Sequence, residues 1–531
     1  MIDSNMAPSA TLPSSTSTVG VEFQSILAPA GSADLGCVAA EPPPHFHDLH
    51  LDQIVAEIAK PWPEHDIAPF FHVALGDPDA IAYRQEVMRD LENAPRMQAV
   101  RNFCERMATV QTNLALVKKQ SCAPEGERWH LAAVDAYGAA IVGLRQDLEA
   151  SPPTSRGLQA LQAYLSTIEH STDFRSRAEE ADQVRAGLAT VRYSMLLQGD
   201  TVTVRADASE EDFSTAVKAT FAKFRGGRVK DYRAKLPHHV GLNHIEARVL
   251  ECVALLFRQP FAALSAFCKR HTTFIDPRVL RFNREVHFYI AVLGHLERFR
   301  RSGLPLCYPE VTRTSKQIAV HAAWDLALAS KLLDQAAHVV CNDFALRDPQ
   351  RIMVVTGPNN GGKTTFARMV GQLHHLGCLG CPVPGEQARL YHFDRLFTHF
   401  ERQEDISTLR GKLQDDLVRI RQILDVATPT SLIIMNEIFS STTLQDAIFL
   451  GRKVLEQITA LDALAVCVTF LAELSSFDAK TVSLVCTVDA TDPAIRTFRL
   501  EQRPADGRAY ALTIARKYRV TRQQLLERIR P

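Results

Sequence analysis

The segment Ile352-Met-Val-Val-Thr-Gly-Pro-Asn-Asn-Gly-Gly-Lys-Thr-Thr365 constrains this chain more than any other. Four apolar residues run into a turn with glycines at 357, 361 and 362, followed by a lysine, two threonines and a helical stretch through Gly371. The residues Gly357, Pro358, Asn359, Asn360, Gly361, Gly362, Lys363 and Thr364 satisfy the pattern G-x-x-x-x-G-K-[ST], and Thr365 continues it. In that pattern backbone N–H groups close on phosphate oxygens, which glycine permits because it carries no Cβ. A helix N-terminus behind the loop favours negative charge. The order predicts strand, phosphate-binding loop and helix, with ATP and Mg²⁺ as the cofactors. Lys363 is expected to bridge the β- and γ-phosphates and Thr364 to set its hydroxyl on the metal. A glycine turn with an incidental lysine would not need the flanking strand and helix.

Such a loop works beside a second strand that carries an acid. Ser431-Leu-Ile-Ile-Met435 is a short apolar run followed by Asn436 and Glu437, and Ala465-Val-Cys-Val-Thr469 is another. Runs of this length separated by helical stretches predict strands buried on both faces of a mainly parallel sheet. Ligands bind at the carboxyl ends of such strands, so Glu437 is the candidate to orient an attacking water. The bland alternative is a solvated acid after a buried strand.

Composition narrows the rest. With 531 residues, 46% of them hydrophobic, the chain supports a large core and more than one domain. Basic and acidic residues balance at 60 each, so contact with DNA would need a local basic patch. Eleven scattered cysteines do not form a disulfide framework and predict a reducing, cytoplasmic setting. Cys378 and Cys381 stand near His374 and His375, yet the stretch reads as the end of a helix, so packing is expected and no structural metal. No run approaches the length of a membrane helix, and the N-terminus does not read as a signal peptide.

Texture divides the chain in three. Residues 1–45, rich in Ser, Thr, Ala and Pro, read as a flexible tail. Residues 46–303 are helical, with a small β-containing insertion at about 187–235. There Tyr193–Gln198 and Thr201–Arg205 read as two strands about a turn at Gly199. A basic run follows from Lys223 to Lys235, containing Arg225, Arg228, Lys230 and Arg233. These four could contact a nucleic-acid backbone or form a solvated helix face. Residues 304–531 have α/β texture.

With the loop, five motifs in order carry a resemblance. Gly357–Thr365 resembles G-P-N-M-G-G-K-S-T, the loop of the MutS family of DNA mismatch-repair ATPases. Pro384 to Leu390 with Asp394-Arg-Leu-Phe-Thr398 resembles V-P-A…A, D-x-I-F-T-R, and Asn436 to Asp446 resembles D-E-I-G-R-G-T-S-T-x-D. Val468 to Leu474 is similar to A-T-H-Y-x-E-L, and Gly507 to Ala515 to S-Y-G-I-x-V-A. Upstream, Phe282 to Tyr289 and Gly303 to Val311 resemble the end of the MutS helical core. The resemblance implies an α plus α/β architecture: a core- and lever-like helical region followed by an ABC-type P-loop ATPase domain. It also implies a homodimer closed around ATP, DNA as partner, and a role in mismatch repair or recombination.

The departures bear on function. The metal-facing acid of the family is Asn436 here, which can accept a hydrogen bond from a metal-bound water but brings no charge. The family's switch histidine is Phe470, and Phe439, Ser440 and Ser441 stand where G-R-G is expected. The Ser-Thr signature that a partner subunit would supply falls on Gly411-Lys412-Leu413 or on Ser407-Thr408. The mismatch-reading domain is expected to be absent: before the ATPase region only Phe103-Cys104-Glu105 fits its F-x-E motif, inside a helical pattern where Phe103 reads as core. These departures sustain a second reading, a nucleotide-gated scaffold that binds a protein or RNA and hydrolyses ATP slowly. A transport ATPase is a weaker third, since no membrane segment and no Ser-Gly-Gly-Gln signature is seen.

Overall fold

The computed structural model describes residues 23–34, 36, 38–120, 122–207, 217, 219–221, 242–335, 337–401, 411–489, 491–492, 495–505, 515 and 519–529. The helical part contains α1 (His45–Asp48), α2 (Leu51–Ala59), α3 (Pro78–Leu91), α4 (Ala94–Lys119), α5 (Ala123–Ala150), α6 (Arg156–His170) and α7 (Thr172–Ala189). The hairpin β1 (Tyr193–Gln198) and β2 (Thr201–Ala206) comes next, then α8 (His244–Leu256), α9 (Arg258–Arg270) and α10 (Pro277–Arg301). Their starts are written in the sequence. Asp77, Asn93, Ser155, Ser171 and Asp276 each accept a hydrogen bond from a backbone N–H of the first turn, and Asn243 closes a capping box with Glu246. The long helices α4 and α5 pack lengthwise through Val100, Phe103, Met107 and Val110 on one side and Val134, Tyr137, Ile141 and Leu144 on the other, all buried. Phe103 is therefore a core residue. The hairpin turns at Gly199, whose φ of 61° suits glycine, and exposes most of both its strands.

The expected tail through residue 45 is corrected for its described part. Phe23, Ile26, Leu27 and Ala28 are buried. Ser25 Oγ and the Ile26 N–H both donate to the Glu285 carboxylate on α10, at 2.8 and 3.1 Å. Asp34 accepts from the N–H groups of Gly76 and Asp77. A segment with small-residue composition is ordered here because its few apolar side chains reach a groove formed 260 residues later, a gain that local composition does not register.

After α10 the chain forms β3 (Leu306–Cys307), β4 (Glu310–Thr312), β5 (Ile318–Ala323), α11 (Leu326–Asp334), β6 (Asn342–Leu346), β7 (Ile352–Thr356), α12 (Lys363–Cys378), β8 (Val383–Pro384), β9 (Gln387–Tyr391) and β10 (Leu396–His399). It continues through α13 (Lys412–Val426), β11 (Leu432–Asn436), α14 (Leu444–Leu461), β12 (Leu464–Val468), β13 (Thr481–Val488), β14 (Arg496–Gln502) and α15 (Arg522–Arg528). The main sheet runs β10-β11-β12-β7-β13-β14; its first five strands are parallel, and β14 pairs antiparallel at the edge. A smaller sheet, β4-β9-β5-β6, lies beside it.

Both faces of the main sheet are covered, and period two sorts the residues. Met353 and Val355 of β7, Leu432 and Ile434 of β11, and Val466 and Val468 of β12 join the larger core with α12 and the N-terminal helices. Ile352 and Val354, Ile433 and Met435, and Ala465 and Cys467 face the opposite way, onto Ile420 of α13 and Val454, Leu455 and Ile458 of α14. Helix α12 extends seven residues past Gly371 and is buried from Met369 to Cys378. A Cβ on Gly371 would come within 2.6 Å of Leu49 on one side and 2.9 Å of Ile434 on the other, so this glycine lets α12 lie between the N-terminal segment and the sheet. Cys378 and Cys381 are fully buried, and burial pushes both thiols up to about 12. Among the described residues no single helix is long and apolar enough to cross a membrane.

Candidate functional site

The loop between β7 and α12 is held open by its backbone. Gly357 has φ of 125°, and a Cβ there would lie 2.9 Å from the backbone oxygen of Cys486 on β13. Gly362 has φ of 99° at the N-cap of α12, and Asn360 adopts the left-handed region at 58°, where asparagine is tolerated. Lys363 opens the helix with its side chain folded back over the loop. Its Nζ donates to the carbonyl oxygens of Gly357 and Pro358, both at 3.1 Å. The third side of the ammonium faces the ring of Phe470, whose centroid lies 4.1 Å away. Burial pulls the Lys363 amine below the ordinary lysine range, partly opposed by Glu437.

Thr364 Oγ1 donates to Asn436 Oδ1 at 2.9 Å, which joins the loop to the end of β11. Glu437 follows with φ of 56°, its N–H donating to the Val468 carbonyl at the end of β12. Burial raises the Glu437 carboxyl above its usual range, with Lys363 opposing. Phe439, in place of a family glycine, still takes a left-handed φ of 58° and is fully buried in the core between the sheet, α13 and α14. A bulky residue rarely adopts that conformation, at a cost of roughly 1–2 kcal/mol. The burial of its ring offsets this cost.

A cavity of about 910 Å³ opens in front of the loop. Asn359 through Phe366, Glu437 and Phe470 line one wall. Leu332 of α11, Val339 and Val340 after it, and Phe498 and Leu500 of β14 line an apolar wing. The wing was not legible in sequence, because its residues come from segments more than 150 positions apart and share no motif. Asn342 could have suggested a polar reader there, but its amide is already bonded to the main chain of Phe498 and Leu500.

Other anticipated residues fall elsewhere. Gly411 is the N-cap of α13, and Lys412 pairs with Glu401. Ser407 and Thr408 lie outside the described residues, as do Arg225, Arg228, Lys230 and Arg233. Leu525, Leu526 and Ile529 in and just after α15 are exposed.

The fold and site together define a mixed helical and α/β protein with a glycine loop at the carboxyl edge of a parallel sheet and an acid just after β11, which β12 separates from β7. Residues 353–527 match the family model of MutS domain V. The match covers that one domain, so residues 353–527 are similar to the corresponding domain of MutS-family proteins. It is 33% identical over 119 residues to the DNA mismatch repair protein MutS of Halalkalibacterium halodurans, covering 22% of this chain and 14% of that protein. It is 31% identical over 193 residues to Endonuclease MutS2 of Gemmatimonas aurantiaca, covering 36% of this chain and 23% of that protein. The matches thus span less than a quarter of either relative.

Proposed function

We propose that the chain is a MutS-type P-loop ATPase that binds Mg-ATP at the β7–α12 loop and couples it to DNA as a homodimer. The observation that carries this reading is Lys363, held on two loop carbonyls at the mouth of the cavity with Thr364 and Glu437 on the same wall. Phosphate oxygens would meet the loop N–H groups and the start of α12, while the apolar wing takes the base. Thr364 Oγ1 and Asn436 Oδ1 are adjacent neutral oxygens of the kind a hard cation accepts beside water and phosphate, so they fit Mg²⁺. Bound there, Mg²⁺ would neutralise charge on the transferring phosphate. Glu437 would orient water, and its raised carboxyl brings it nearer the pH at which a base works best. The neutral Asn436 supports slow turnover. One loop per chain supports two composite sites in a dimer, closed partly by the exposed apolar residues near α15.

Equilibrium binding of ATP by the parent and by Lys363→Ala tests the site, with circular dichroism to verify folding. The variant should lose affinity at least tenfold; equal affinity in a folded variant overturns the assignment. Sedimentation with ATP at micromolar protein checks the dimer, and a monomer under saturating ATP counts against it. DNA affinity measured against salt checks the partner. A slope near zero, where each phosphate contact should contribute about 0.9, would favour the second reading: a nucleotide-gated scaffold for a protein or RNA. The aromatic ring over Lys363 is the observation that favours that second reading.

A further inference from the structure

The ammonium of Lys363 has three N–H bonds. Two are committed to the carbonyls of Gly357 and Pro358. The remaining face meets the negative face of the Phe470 ring at 4.1 Å. A lysine that bridges two phosphates must turn that face toward oxygen. The ring and a phosphate therefore need the same side of the same cation.

The surroundings of Phe470 fit a side chain that can be displaced. The backbone beside it is pinned: the Thr469 N–H donates to the Val355 carbonyl at 3.1 Å, and Thr469 Oγ1 accepts from the Leu471 N–H at 3.0 Å. Phe470 as a residue is 50% exposed at the cavity wall, so its ring can leave by side-chain rotation without disturbing the strand end or the core.

We propose that Phe470 is a competitor for the loop cation: its ring holds the phosphate-facing side of Lys363, must withdraw when a nucleotide phosphate enters, and so sets nucleotide affinity. This rests on the nucleotide reading of the loop. Phe470 is a positioning residue, acting through Lys363 and forming no bond to substrate.

The test is ATP affinity, by fluorescence or calorimetry, for the full-length parent, Phe470→Leu, and a protein carrying trifluorinated phenylalanine at position 470. Leucine keeps an apolar side chain without the ring. Fluorination drains the negative face of the ring while nearly preserving its volume. Both should bind ATP more tightly, by about 2- to 30-fold for leucine, the range that losing one cation–ring contact allows, with the fluorinated ring between leucine and the parent. A merely structural ring would not respond to fluorination. Unchanged or weaker affinity in both variants, with the parent binding ATP, overturns the inference and leaves the nucleotide site standing. Failure of the parent itself to bind ATP overturns the nucleotide reading and this inference with it.

Discussion

Asn436 and Glu437 are neighbours whose side chains face different surroundings, and their separation begins in the backbone. Asn436 ends β11 and turns its amide oxygen to Thr364, while the left-handed φ at Glu437 carries the next side chain toward the cavity. On the proposed mechanism Glu437 acts on water and contributes little to holding ATP. Glu437→Gln preserves shape and removes the charge. It should keep ATP affinity within a fewfold and slow hydrolysis about 100-fold or more, the scale of lost general base catalysis. Single-turnover phosphate release checks this, and release at the parental rate would place the catalytic role on another residue. The glycine loop, Thr364 and Glu437 could be named from sequence because each sits at a fixed offset from a strand end. The contact between Lys363 and Phe470 could not, since residues 107 positions apart meet only when β7 and β12 pair.

At the scale of elements, α12 is the piece that joins the two parts of the chain. Its first turn carries Lys363 and Thr364, and its later turns are enclosed by the sheet and the N-terminal segment. Arg368 Nε donates to the Asp48 carbonyl, and Gln372 Nε2 to the Leu49 carbonyl, so the same helix that presents the loop is bolted to α1 and its flank. Gly371 has no room for a branched side chain between Leu49 and Ile434. Gly371→Val should destabilise the protein by about 1–3 kcal/mol through overpacking, read as a lower urea midpoint. An unchanged midpoint would mean that this contact yields easily. The apolar strand runs around residues 352, 432 and 464 were legible as strands. Burial of both faces was expected too, but which residue faces which core was not legible, because a continuous apolar run carries no period.

Across the whole molecule, burial of imidazoles links stability to pH. Burial pushes His45 down to about 3, and His287, His295, His374 and His375 to about 4, from 6.5. Between pH 6.5 and 4 the unfolded chain binds protons that these folded histidines refuse, so their contribution is present above pH 6.5 and lost as pH falls. Asp325, pushed up to about 6 by burial, acts in the opposite sense, as do Asp135, Glu285 and Glu437, but burial also lowers His50, His65, His130 and His392, so the lowered imidazoles outnumber the raised carboxyls. The urea midpoint should therefore drop from pH 6.5 to 5; a flat or rising midpoint would show that these rings are not held neutral. His374 and His375 lay in a stretch expected to pack, but His45, His287 and His295 did not stand out in sequence, since burial belongs to the assembled core. The sequence alone determined the strand–loop–helix, the caps that start the helices and the family of the C-terminal domain, because each depends on residues a few positions apart. Only the tertiary structure decided that Phe23 and Ile26–Ala28 belong to the core, that the cavity has an apolar wing, and that Phe470 covers Lys363. Those depend on which distant segments share a surface, and neither local spacing nor composition encodes that.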